Sequence, residues 1–158
     1  MSTPRTEPSL RVIVGVDGSP ESQQALRWAA HFAAAGGARL VAVAAWDYPS
    51  TYGWAVWPQD WDLARDTQKA LDSTVDEVFD AHRPTEIQLT VRQGSAAAVL
   101  LEESEGAQML VVGSRGHGGF AGLLLGSVSA KVAEHASCPV LVVHGETSPP
   151  VIGAERQS

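Results

Sequence analysis

The residues with the types and spacing for chemistry on an anion run from Leu110 to Ser129, LVVGSRGHGGFAGLLLGSVS. An apolar strand ends at Gly113, and Gly116, Gly118, Gly119, Gly122 and Gly126 follow before a helical segment begins. Six glycines in fourteen residues, set between a buried strand and a helix, are more than a plain connection needs. The frame is Gly113, two residues, Gly116, nine residues, then Gly126-Ser127. Such a frame suits a phosphate, because glycine lets the backbone approach closely and reach φ > 0 without strain. Ser127, at the helix start, can donate its hydroxyl and its N–H, and Val128 and Ser129 add further N–H groups. The helix dipole contributes ~0.3–1 kcal/mol for a nearby negative charge. No Lys-Ser/Thr pair follows the glycines, so this is not a Walker A loop. A Rossmann fingerprint would follow the first strand with a different glycine spacing.

Asp17 is the second candidate. A carboxylate at the tip of a buried strand can accept hydrogen bonds from ribose hydroxyls or approach a metal carried by phosphates. Asp-Gly is equally a common turn pair, so spacing alone leaves both roles open. Arg115 is either a phosphate partner or a solvated loop residue. His117 sits among the glycines with no partner in the pattern, and Cys138 reads as an inert core thiol. His31, His82, His135 and His144 show no ligand spacing with Cys or carboxylates, so no zinc site is visible. No Gly-x-Ser-x-Gly elbow occurs, which argues against a serine hydrolase.

Charge narrows the means of holding an anion. Lys69 and Lys131 are the only lysines, and the formal net charge is −7. A polyanion would be held by backbone N–H groups and helix dipoles rather than by a basic patch. The acidity also argues against nucleic acid as a partner. At 158 residues the length favours one domain with a real core. The single cysteine excludes an internal disulfide and fits a reducing compartment. No apolar run approaches a membrane span, and MSTPRTEPSL lacks a signal-peptide core. The expectation is a soluble cytoplasmic protein that meets neither nucleic acid nor membrane.

The elements that must position these residues follow from patterning. Residues 1–9 read as a disordered tail. Leu10–Val16 is apolar for most of its length, a strand buried on both faces. Asp17-Gly18 turns the chain, Ser19 caps and Pro20 opens a helix to about Ala35, and Gly36-Gly37 ends it. Leu40–Ala45 is a second strand. The loop after it holds four of the five tryptophans, Trp46, Trp54, Trp57 and Trp61. Leu71, Val75, Val78 and Phe79 at helical spacing predict a helix from about Asp62 to His82. Glu86–Val91 alternates like an edge strand with one solvated face. A short helix over Ala96–Ser104, a strand over Gln108–Val112, a helix over Ser127–Ala136 and a strand over Pro139–Val143 complete the domain. Residues 145–158 return to tail composition.

Alternating strands and helices imply an α/β domain, a parallel sheet with helices on both faces. Ligands on such sheets bind at the carboxyl ends of the strands, where the winding reverses. The loops at Gly15–Ser19 and Gly113–Ser127 border one crevice if their strands are neighbours.

VGVDGSPES before an Ala-rich helix, together with VVGSRGHGGFAGLLLGSVSAKVAEHASCPVLVV, resembles the universal stress protein family in its nucleotide-binding branch. The resemblance runs from about Leu10 to His144, and the late motif G-x2-G-x9-G-Ser is complete. It implies a five-stranded parallel sheet in the order 3-2-1-4-5, Rossmann-like and of the adenine nucleotide α-hydrolase type, in which the first and fourth strands are neighbours. It also implies ATP as ligand, with any Mg2+ carried by the phosphates. By position, Asp17 would meet the ribose with the backbone of Gly15 and Val16 alongside, and the adenine would touch main-chain atoms of Ala45. Gly113, Ser114, Arg115, Gly116 and Gly119 belong to the loop around ribose and phosphates. Gly126, Ser127, Val128 and Ser129 would hold the phosphate tail. The tryptophan cluster lies outside the shared pattern; base stacking, a lid and partner packing stay open.

In that strand order Val140, Leu141, Val142 and Val143 form an uncharged edge, which invites pairing with another chain. The family's habit of dimerising there agrees, so a homodimer is expected. The expected function is an ATP-binding stress-response regulator or sensor with at most slow hydrolysis, since the glycine loop has no lysine to stabilise developing charge. The alternatives are a nucleotide hydrolase or nucleotidyl transferase on a related fold, and a dimeric interaction module that binds no nucleotide. A cyclic nucleotide in place of ATP is a narrower variant.

Overall fold

The apolar run Val12–Val14 forms the middle of β1 (Arg11–Gly15), and none of the three residues is more than 1% exposed. A strand so buried must be covered from both faces, and the rest of the chain supplies the covers. The computed structural model describes residues 10–48, 62–84, 86–116 and 125–150. After β1 come α1 (Pro20–Gly36), β2 (Arg39–Trp46), α2 (Leu63–Phe79) with a 3-10 turn at Asp80–His82, and β3 (Ile87–Gln93). Then follow α3 (Ala96–Glu103), β4 (Met109–Gly113), α4 (Ser127–His135) and β5 (Val140–Val143).

The five strands form one parallel sheet in the order β3-β2-β1-β4-β5. Period-2 side-chain alternation splits the core in two. Val12, Val14 and Val16 face α1 and α2, packing with Ala25, Leu26, Ala29, Leu71 and Val75. Ile13, Val41, Val43, Leu110 and Val112 face α3 and α4, packing with Val99, Leu100 and Val132. The expected architecture is therefore present, with β1 paired to both β2 and β4.

Element ends differ from the sequence reading for local reasons. The helix expected to reach His82 stops at Phe79, where Asp80 takes a positive φ of 48° and the chain tightens into the 3-10 turn. The β3 strand runs two residues past Val91 because β2 itself continues, pairing Ala45 with Arg92 and Trp46 with Gln93. Residues 145–150, which read as tail, lie against α1: the Trp28 indole N–H donates to the Thr147 carbonyl at 2.9 Å. An amphipathic ring on an outer helix face needs an acceptor for its N–H, and this segment provides one.

One glycine of the late motif is explained by packing alone. A Cβ on Gly113 would stand 2.8 Å from the carbonyl carbon and Cβ of Glu21, because the first turn of α1 presses directly on the end of β4. A Cβ on Gly126 would meet its nearest atoms at 3.5 Å, an ordinary contact. Gly113→Ala should therefore cost about 1–3 kcal/mol through overpacking against backbone, and Gly126→Ala less. Urea unfolding of both variants checks the order; equal losses would contradict it.

Candidate functional site

The site is built where β1 and β4 end side by side. The chain leaves β1 toward α1 on one face and leaves β4 toward α4 on the other, so a crevice opens between the two exits. A cleft of about 180 Å³ occupies it, room for a small molecule rather than one trapped water.

Most of the candidate residues come together here. Gly15, Val16 and Asp17 line the cleft from the end of β1, and Ala45 from the end of β2. Gly113, Arg115 and Gly116 line it from the exit of β4, and Gly126, Ser127, Val128 and Ser129 from the start of α4. Ser114 is not part of the lining; it is buried behind the cleft, 4% exposed. Gly119 lies outside the described residues, as do His117, Trp54, Trp57 and Trp61. Trp46 lines no part of the cleft and sits edge-on to Tyr48, with ring centroids 5.6 Å apart.

Five further lining residues escaped the sequence reading: Ser22, Val43, Ala96, Leu100 and Val112. Val43 and Val112 had a signal, since each lies on the strand face that ends at the cleft. Ala96 and Leu100 had none, because only the sheet order brings α3 beneath the end of β1. Gly15 accommodates that helix: a Cβ there would come within 2.9 Å of Leu100 Cδ1. The helix is also tied from outside. Arg92 pairs with Glu102 and with Glu103 Oε1 at 3.1 Å, and Arg11 donates to the carbonyls of Glu103 and Glu105. Hydrogen bonds to Glu102 and then Glu103 raise the Arg92 pKa.

Asp17 performs the turn role from the wall of the cleft. Its Oδ1 accepts from the backbone N–H of Ser19 at 2.9 Å and from the Ser19 hydroxyl. Ser19 in turn caps α1 by accepting from the Ser22 N–H at 3.2 Å. Asp17 Oδ2 lies so close to Gly116 that any side chain there would collide with it. Gly116 thus lets the two loops touch.

Helix capping separates α4 from its neighbours. Ser19, Asp62 and Ser95 cap α1, α2 and α3 through side-chain oxygens, each accepting an N–H of the first turn. The cap position of α4 is Gly126, which offers no side chain; as in the other three helices, the first backbone bond closes four residues past the cap, from Ala130 N–H to Gly126 O at 3.0 Å. The N–H groups of Ser127, Val128 and Ser129 precede that bond, at the positive end of the helix dipole. Arg115 stands exposed beside that helix start, its Cα 3.5 Å from where a Cβ on Gly126 would lie. The helix start and Arg115 make this wall electropositive.

A second hollow opens on the α2 side and shares Val16, Asp17 and Ala45 with the first. Asp17 and Asp66 line it and no lysine or arginine does so among the described residues, so it is the more acidic of the two. Among the described residues, no group of three or more His, Cys, Asp or Glu side chains is gathered. No helix among them is long and apolar enough to cross a membrane.

Comparison with known proteins adds family context. Residues 9–144 match the model of the Universal stress protein family. A universal stress protein of Mycolicibacterium smegmatis is 39% identical over 139 residues, covering 85% of this chain and 45% of its own length. One from Mycobacterium tuberculosis is 36% identical over 150 residues, covering 89% and 49%. The chain spans about half the length of the curated relatives it matches. Among solved structures, a universal stress protein in complex with cAMP has a TM-score of 0.65 at 32% identity, over 85% of this chain and 97% of that one. A universal stress protein from Archaeoglobus fulgidus in complex with dAMP shares the fold at a TM-score of 0.59 and 22% identity, over 85% and 97%.

The Asp17–Ser19 turn can be tested without any ligand. Asp17→Ala strips the Ser19 N–H of its acceptor and should lower stability by about 1 kcal/mol, whereas Asp17→Asn keeps an oxygen in place and should lose less. Thermal or urea unfolding of the pair measures this. Equal stability of Asp17→Ala and wild type would show the turn to be unimportant.

Proposed function

The chain belongs to the universal stress protein family, and on that premise we propose that it binds an adenine nucleotide, ATP, in the cleft between the ends of β1 and β4. The observation that carries the reading is the uncapped start of α4, which faces that cleft beside Arg115 while the other three helices are capped by side chains. With glycine as the cap residue the helix forgoes only roughly a few tenths of a kcal/mol, and an anion in the cleft would satisfy the same N–H groups.

The lining fits the parts of a nucleotide in order. Val43, Ala45, Ala96 and Leu100 form an apolar slot for a planar base, whose edge would meet main-chain atoms at Ala45. Asp17 Oδ2, beside the backbone of Gly15, Val16 and Gly116, suits ribose hydroxyls. Gly113, Arg115 and Gly116 would follow the ribose and first phosphate, and Gly126 to Ser129 the tail. Mg2+ would come with the phosphates. The late loop carries no lysine, so the residues suit retention of nucleotide better than rapid transfer of a phosphoryl group. The function is then that of a nucleotide-dependent regulator or sensor in a stress response, acting in the cytoplasm through a domain of residues 10–144. A cyclic nucleotide is a second reading, favoured by the cAMP held by the 32% identical relative.

A homodimer through β5 completes the proposal. The strand is the sheet edge beyond β4, and Val140, Leu141 and Val142 are only half-buried in the single chain. Apolar edges of this kind are covered in stable proteins.

Three measurements test these readings. Protein denatured after purification should release an adenine nucleotide identifiable by mass spectrometry. Stripped wild type should bind ATP in calorimetry, and Gly116→Val with Gly126→Val should weaken it by at least about tenfold, 1.4 kcal/mol, with the circular dichroism unchanged. No binding of ATP or cAMP by wild type would refute the nucleotide reading and leave an interaction module. In sedimentation, wild type should run as a dimer and Val140→Lys as a monomer; a monomeric wild type would end the dimer proposal.

A further inference from the structure

Ser129 reads from the sequence as a donor of its backbone N–H to phosphate, and its side chain has a separate task. The hydroxyl points inward, on a residue 3% exposed, and donates to the Ser114 carbonyl at 3.0 Å, with the Gly126 carbonyl at 3.1 Å as a second acceptor. A serine in a helix ordinarily satisfies itself on a carbonyl of its own preceding turn. Ser129 reaches such a carbonyl, that of Gly126, and reaches as well the Ser114 carbonyl fifteen residues away, at the exit of β4. The same Ser114 carbonyl accepts the Gly126 N–H at 2.7 Å, and the Ser114 N–H donates to the Val143 carbonyl at 2.8 Å. One peptide junction therefore ties the end of β4 to β5 and to two points on the first turn of α4.

Two points matter mechanically. Val132 and Val128 pack α4 into the core, and Gly126 alone would join its start to β4 by a single hydrogen bond. The second tie, at Ser129, restrains the first turn further and so helps set the direction in which the N–H groups of Ser127, Val128 and Ser129 point. Alanine would be a better helix former at this position, and a buried hydroxyl is stabilising only when it is bonded. We propose that Ser129 is a positioning residue of the phosphate subsite: its hydroxyl aims the uncapped turn of α4 through Ser114 and does not itself touch the ligand. The inference rests on the nucleotide reading above and adds the way in which that subsite is held.

The test uses Ser129→Ala in the full chain, with adenosine and ATP as probes in calorimetry and hydrogen exchange of the ligand-free protein. Aiming acts on phosphate alone, so ATP should weaken about tenfold, one charge-assisted hydrogen bond's worth, while adenosine changes less than about twofold. Without nucleotide, the Gly126 amide should exchange faster in the variant, because the junction has lost its second tie. Equal weakening of ATP and adenosine would mean a general structural role and overturn the proposal. Unchanged ATP affinity would overturn it too while leaving the nucleotide reading intact. Weaker ATP with unchanged Gly126 exchange would make the hydroxyl a direct ligand and refute positioning. A wild type that binds neither probe would remove both readings together.

Discussion

Val12, Ile13 and Val14 pair with β2 on one side and β4 on the other, and this central position of β1 governs everything at the ligand edge. Parallel strands deliver all their carboxyl ends to one edge of the sheet. Because the winding reverses at β1, the exits of β1 and β4 diverge to opposite faces and leave a crevice that no helix fills. The glycine loop, Asp17 and the start of α4 have a common address only through that pairing.

The glycines of the late motif divide by what their missing side chains admit. Gly113 admits the backbone of Glu21, a helix-on-strand contact. Gly116 admits the Asp17 carboxylate, a loop-on-loop contact. Gly126 has ordinary space around it and a φ of −71°, so neither packing nor backbone strain demands glycine there. What it does is leave α4 without a side-chain cap. A single spacing in the sequence thus joins three different local circumstances, and only the last concerns the N–H groups of a helix start.

Electrostatics explains why an acidic chain would use such a wall. Its formal charge of −7 repels a polyanion at long range, and the counterweight must come from fixed dipoles at short range. Backbone N–H groups are pre-oriented by the helix and need no side chain to be ordered on binding. Their direction follows from how α4 is anchored, and the buried Ser129 hydroxyl and Ser114 carbonyl are part of that anchor.

Much of this protein is legible in its residues. Alternation and apolar runs identify the strands, because the side-chain period of two is a local property. Ser19-Pro20 and Gly36-Gly37 mark the bounds of α1 for the same reason, since caps act within one turn. The spacing of Gly113, Gly116 and Gly126 marks places of close approach, and all three line one cleft, although none of them uses glycine's left-handed freedom. Contacts between distant residues are not local, and there tertiary structure decided. Leu100 at the end of β1, Glu21 against Gly113, and Ser129 bonded to Ser114 all depend on which strands are neighbours and on which face each helix crosses. The sequence by itself determined the elements and the chemistry they carry. Which of them meet was settled by the sheet order, through burial and hydrogen bonds that no local pattern encodes.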